Sequence, residues 1–193
     1  MKKREFIRKA GLLTGSVLTV PLLGIEKDEH TASKTGEASM APLKLVIGSD
    51  HAGFPLKGPL IKVLKSWNYE VKDVGSFTPD PVDFPDIALL LADEVLSGRA
   101  DRGIMVCGTG VGASIACNKI QGIRAALSHD TYSAHQCVEH DNVNVICIGA
   151  QIIGQSMAEE ILHNFLSAQF STEEQFRRRV QKLDAFDLVL PKK

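Results

Sequence analysis

From residue 43 onward the sequence predicts a three-layer αβα sandwich built on a five-stranded parallel sheet. Three observations predict it. Short apolar runs alternate with segments whose apolar residues recur at helical spacing. The runs "LVI", "IMV" and "VICI" are apolar at consecutive positions, as strands covered on both faces require. The helical segments between them supply the crossovers that join parallel strands.

Taken in order, "LKLVIGSD" is a short apolar run that ends in Gly-Ser-Asp, a buried first strand. "PLKGPLIKVLKSWN" places apolar residues at 56, 60, 61 and 64, one face of a helix. Strand "YEVKDVG" leads to helix "PDIALLLADEVLSG", with Pro85 near its start and Gly98 near its end. Then come strand "GIMVCG", helix "GASIACNKI", strand "IRAALS", helix "TYSAHQCVEH", strand "VNVICIG" and helix "SMAEEILHNFLSAQF". A last helix, "TEEQFRRRVQKLD", closes this Rossmann-like domain, which is assigned to residues 43–193. In open parallel sheets ligands bind outside the carboxyl ends of the strands. The segments "GSDHAG", "CGTGVG" and "EHDNVN" are all expected at that edge.

Composition narrows the function classes. The chain has 193 residues, 44% hydrophobic and 23% charged, which is ordinary for one globular α/β domain with a real core. A formal net charge of −1 gives no global electrostatic case for nucleic acid or an anionic membrane. The one basic cluster, "RRR" at 177–179, reads as a local feature. Cys107, Cys117, Cys137 and Cys147 form neither a C-x-x-C pair nor a zinc-like spacing. They read mostly as buried small hydrophobes.

Residues 1–42 differ from the rest. "MKKREFIRKAG" is basic, "LLTGSVLTVPLLG" is uncharged and largely apolar, and a polar stretch of small residues follows. That order is the layout of an export signal, too short in its apolar part for a transmembrane span. It resembles a twin-arginine leader, with Lys3-Arg4 in place of two arginines, and no crisp cleavage site follows. The expectation is export to a bacterial periplasm without a stable membrane span in the mature chain. A cytoplasmic protein with a disordered tail, or a start at Met40, is the alternative.

The chemistry concentrates in "CGTGVG". It lacks the lysine of a Walker loop and the spaced third glycine of a dinucleotide fingerprint. Gly108, Gly110 and Gly112 permit a tight turn whose amides hold an anionic oxygen at a helix start. Cys107 beside that positive potential is expected to favour its thiolate. A thiolate next to an oxyanion-binding loop suits proton abstraction beside a carbonyl. A plain glycine turn with a buried cysteine is the other reading of this loop. Asp50 and His51 end the first strand, where an acid can orient an imidazole. His140, Asp141, Asn142 and Asn144 crowd before the last strand, as a turn or as hydrogen-bonding groups for a polyol.

"VIGSDHAGFPLK", "GIMVCGTGVGASIACNKIQGIRAAL", "YSAHQCVEHDNVNV" and "IGAQIIG" together resemble ribose-5-phosphate isomerase B and the galactose-6-phosphate isomerase subunits. The likeness covers residues 43 to about 184, in the same order. It implies interconversion of an aldose phosphate and a ketose phosphate through a cis-enediol, with no metal and no cofactor. By the same likeness Cys107 is the base that moves the proton between the first two carbons. Thr109 and the amides of Gly108, Gly110, Val111 and Gly112 hold the enediolate. Asp50 and His51 bind substrate, and His140 opens the sugar ring. Family members assemble as dimers or tetramers with sites shared between subunits, so a homodimer or homotetramer is implied.

Three departures bear on the substrate. Asp141 stands where the family has asparagine, a carboxylate that only accepts hydrogen bonds when ionised. Gln151 stands where an arginine follows the last strand. In the closing helix Arg179 fits the second of two family arginines, while Gln175 occupies the place of the first. Asp141, Gln151, Gln175 and Arg179 are therefore the substrate-binding positions whose effect on a phosphate is open, with Arg177 and Arg178 as possible substitutes. The alternatives are an isomerase of an unphosphorylated sugar, or a sugar-binding protein that has lost turnover.

Overall fold

The structure is a computed structural model and describes residues 43–189. The leader at 1–42 lies outside the described residues. Five strands, β1 (Lys44–Ser49), β2 (Glu70–Asp73), β3 (Arg102–Cys107), β4 (Ala125–Leu127) and β5 (Val145–Gly149), form a single sheet in the order β2-β1-β3-β5-β4. Every neighbouring pair is parallel. The helices are α1 (Phe54–Ser66), α2 (Phe84–Leu96), α3 (Val111–Asn118), α4 (Thr131–Asp141), α5 (Gln155–Ser167) and α6 (Glu174–Val189). This is the fold class the sequence predicts.

The apolar runs work as double-sided strands because successive side chains point to opposite faces. Leu45, Ile47, Ile104, Val106, Ile146 and Ile148 pack into one core with α1, α4 and α5. Val46, Met105, Cys107, Val145 and Cys147 pack into the other with α2 and α3. Strand order explains that division. The chain moves towards the β2 edge from β1 to β2 and from β4 to β5, and towards the β4 edge from β2 to β3 and from β3 to β4. Right-handed crossovers then require helices for the two directions on opposite faces. At the carboxyl ends of β1, β3 and β5 the chain leaves alternately for one face and the other. A crevice opens between such diverging loops.

Element ends follow local chemistry. Asp130 caps α4 by accepting from the Ser133 amide at 2.7 Å, and Asn142 ends it in the left-handed region at φ 50°. β4 is shorter than the run "IRAALS" implies. Arg124, just before it, donates instead to the Asn142 carbonyl at 2.8 Å and to Asp184 of α6 at 3.0 Å. An edge strand with one partner keeps only the residues that β5 pairs.

Candidate active site

Asp50 follows β1, and its amide donates to Val106 O of β3 at 3.2 Å. α1 starts almost on top of β3: a Cβ on Gly53 would lie 2.1 Å from the Val106 carbonyl oxygen, so only glycine fits. This close approach is the physical meaning of the "DHAG" run. It brings the Asp50 carboxylate, 4% exposed, between two donors. Oδ1 accepts the Gly53 amide at 2.8 Å, and Oδ2 accepts the Cys107 thiol at 2.7 Å.

Cys107 ends β3, and the chain turns through Gly108, Thr109 and Gly110 into α3. Gly110 has φ +79°, which costs a side-chain-bearing residue energy, and its carbonyl accepts the Ser114 amide at 2.9 Å. Val111 opens the helix, with its amide 3.4 Å from the exposed Thr109 Oγ1. Gly112 packs against the Phe84 ring. β5 closes the other side: Ala150 N donates to Cys107 O at 2.8 Å and Gln151 N to Gly108 O at 2.9 Å. The Gln151 side chain lies against Gly108. His51 is exposed beside Asp50, and its Nδ1 accepts from Val82 N at 3.4 Å.

The electrostatics correct one expectation. Burial pushes the Cys107 thiol above its ordinary range, and the hydrogen bond to Asp50 raises it further. The Gly110 and Gly108 amides act in the anticipated direction, favouring the thiolate, but are outweighed. The resting group is a thiol poised on a carboxylate.

A second correction concerns position. The "EHDNVN" segment does not join the carboxyl edge. α4 begins after β4 and runs back past the sheet, so His140 and Asp141 lie at the opposite edge, just before β5. There His140 stacks on Phe176 of α6, with centroids 3.9 Å apart and planes 11° from parallel. The Arg179 guanidinium lies 5.7 Å from the Phe176 ring centroid. Gln175 donates its amide to Glu173 at 2.7 Å. The candidates thus form two clusters within one chain: Asp50, His51, Cys107, Gly108, Thr109, Gly110, Val111, Gly112 and Gln151 at one end, and His140, Asp141, Gln175 and Arg179 at the other. The expectation of a single edge overlooks element order, because a segment preceding a parallel strand lies at its amino end.

One histidine was overlooked. His129 lies two residues past the end of β4, and its Nε2 accepts the Gly149 amide at 3.1 Å. Gly149 is the register partner of Cys107. The signal was its place after a strand, the same rule that marks Asp50 and Cys107. Among the described residues no three His, Cys, Asp or Glu side chains gather as a metal site.

The sequence model of the ribose/galactose isomerase family matches residues 45–183. The chain belongs to that family. It is 44% identical over 129 residues to the ribose-5-P isomerase B of Listeria innocua, covering 67% of this chain and 87% of the relative. The structure of Clostridium thermocellum ribose-5-phosphate isomerase B superposes with a TM-score of 0.74 at 40% identity, over 76% of this chain and 98% of that one. Ribose-5-phosphate isomerase B of Mycoplasma genitalium, solved with bound ribulose 5-phosphate, gives 0.72 at 36% identity, over 76% and 97%. The domain is thus an aldose–ketose isomerase of the ribose-5-phosphate isomerase B type.

Proposed function

We propose that this isomerase converts ribose 5-phosphate, or a related sugar phosphate, into its ketose through a cis-enediol without a metal. The observation that carries the reading is the Cys107–Asp50 pair at the mouth of a turn lined by backbone amides. As thiolate, Cys107 takes the proton from the carbon next to the carbonyl. The electron pair left behind forms the carbon–carbon double bond and places negative charge on the former carbonyl oxygen. The amides from Gly108 to Gly112 and the Thr109 hydroxyl meet that charge. The hydroxyl proton passes from the second oxygen to the first, and the sulfur returns its proton to the terminal carbon. Atoms and electrons balance with no redox partner.

His140, the group for opening the sugar ring, needs a second copy of the chain. Within one chain it is separated from Cys107 by the length of the six-residue β3, roughly 17–20 Å at about 3.3 Å per residue. A homodimer that sets the His140 end of one subunit against the Cys107 end of the other unites them. Symmetry then repeats the site twice.

Mixing inactive variants tests this assembly. Cys107→Ser and His140→Ala, each near-inactive on the cyclic sugar, are unfolded together and refolded. Half the dimers are then mixed, and each contains one intact site, so about a quarter of wild-type activity returns. No recovery in verified mixed dimers would refute the shared site.

Export is proposed on the leader layout at 1–42. Mass spectrometry of the protein from its host checks it: a shortened chain outside the cytoplasm is expected, and a cytoplasmic chain starting at Met1 or Met40 rejects it. Among the described residues no helix is long and apolar enough to cross a membrane.

A further inference from the structure

Lys57 lies in the first turn of α1 and is only 3% exposed. Its ammonium donates to Asp73 Oδ1 at 2.7 Å and to the Ser76 carbonyl at 2.6 Å. The Phe77 and Phe54 ring centroids lie 5.1 and 5.8 Å from it. An ion pair with its ammonium buried and its carboxylate only partly so is a poor device for stability, since apolar groups of similar volume often serve as well or better. What an ammonium adds over a methyl group is a set of directed donors.

Those donors grip the start of a strap. Residues 73–83 leave β2 and pass along the carboxyl edge of the sheet to α2. At the near end Val74 N donates to Ile47 O at 2.9 Å, Ser49 N to Gly75 O at 2.6 Å and Ser76 N to Ser49 O at 2.6 Å. Asp73 Oδ1, held by Lys57, also accepts the Gly75 amide at 3.0 Å. These bonds extend the β1–β2 pairing as far as Ser49, the residue before Asp50. At the far end Val82 N reaches His51 Nδ1 at 3.4 Å. Residues 77–81 between these anchors are exposed. A ring nitrogen that accepts a hydrogen bond carries no proton, so a neutral His51 in this contact holds its proton on Nε2.

We propose that Lys57 is a positioning residue for the isomerase: by clamping Asp73 and Ser76 it lays the strap so that Val82 N fixes His51 as an Nε2–H donor for the sugar. The role given to His51 rests on the isomerase reading above; the clamp and the tautomer do not.

Lys57→Met keeps the length of the stem and removes the charge. The expected result is a rise in KM of about tenfold to a hundredfold, the scale of a displaced substrate contact. The turnover number stays nearly unchanged. Nitrogen-detected NMR of the His51 ring loses its single Nε2–H tautomer. Lys57→Arg, which keeps the charge, retains most of both properties. Because Lys57→Met leaves Asp73 without its cation, the double variant Lys57→Met with Asp73→Asn is measured alongside. It regains thermal stability, and its KM stays high if Lys57 acts by positioning. Recovery of KM together with stability, or an unaltered His51 tautomer in folded Lys57→Met, overturns the proposal. The NMR measurement needs no substrate. Failure of the wild type to turn over any sugar phosphate therefore sinks the isomerase reading alone.

Discussion

Cys107→Ser lowers kcat by about 10²- to 10⁴-fold, the range that a positioned acid–base group supplies. The fold stays intact, because a hydroxyl occupies the same buried space and bonds to the same Asp50 oxygen. Substrate binding stays close to wild type, since the amide turn and Asp50 are untouched. The loss comes from basicity of the wrong kind: a serine hydroxyl does not ionise near neutral pH.

The wild type should also show an alkaline-rising rate. Only the thiolate accepts a proton from carbon, and burial with Asp50 holds the folded thiol above its ordinary value. Below that raised value each pH unit removes about tenfold of the active form. Asp50→Asn removes the carboxylate that favours the thiol and moves the limb to lower pH, whatever it does to the maximal rate. A Cys107→Ser enzyme of near wild-type rate, or a limb that does not move in Asp50→Asn, contradicts the assigned base.

Gln151→Arg combined with Gln175→Arg should raise kcat/KM for a phosphorylated sugar by about tenfold to several hundredfold and leave the free sugar unchanged. Each charged hydrogen bond to phosphate is worth about 1.5–3 kcal/mol, and a neutral amide supplies less. The present side chains show why there is room for a gain. Gln175 spends its amide on Glu173, and Arg178 is paired with Glu174. Arg177 lies over Phe170 and Arg179 over Phe176. Glu173 would compete for an arginine at 175, which sets the lower end of the range. Comparison of ribose 5-phosphate with ribose on both proteins decides the matter. An unmodified enzyme that already prefers the phosphate by orders of magnitude makes the arginines at 177–179 the phosphate grip. A sugar-binding protein without turnover would show neither rate.

Much of this was legible in the residues. The consecutive apolar runs fix β1, β3 and β5 as buried strands, because each must satisfy two cores at once. The ends of β1 and β3 then bring Asp50 and Cys107 to one edge. What periodicity does not carry is strand order. Nothing local says that β5 inserts between β3 and β4, and that insertion makes Gln151 a neighbour of Gly108. The thiol's protonation is not legible locally: the glycine amides are visible in "CGTGVG", whereas the burial that raises the thiol depends on the whole fold and Asp50 lies 57 positions earlier in the chain. Nothing local distinguishes Lys57 from the other helix lysines, since its partners Asp73 and Ser76 lie 16 and 19 positions later in the chain.

The buried, carboxylate-bound state of Cys107 has a further consequence, for the lifetime of the enzyme. The thiolate is the form that attacks peroxide and disulfides, and that reaction is slow where the sulfur stays protonated and shielded. At 8% exposure Cys107 offers oxidants little of either access or charge. A base of raised pKa is also the stronger proton acceptor once ionised. The same burial that limits the thiolate fraction thus spares the sulfur from side reactions, and a cysteine in the proposed role of base would endure where no reducing buffer protects it.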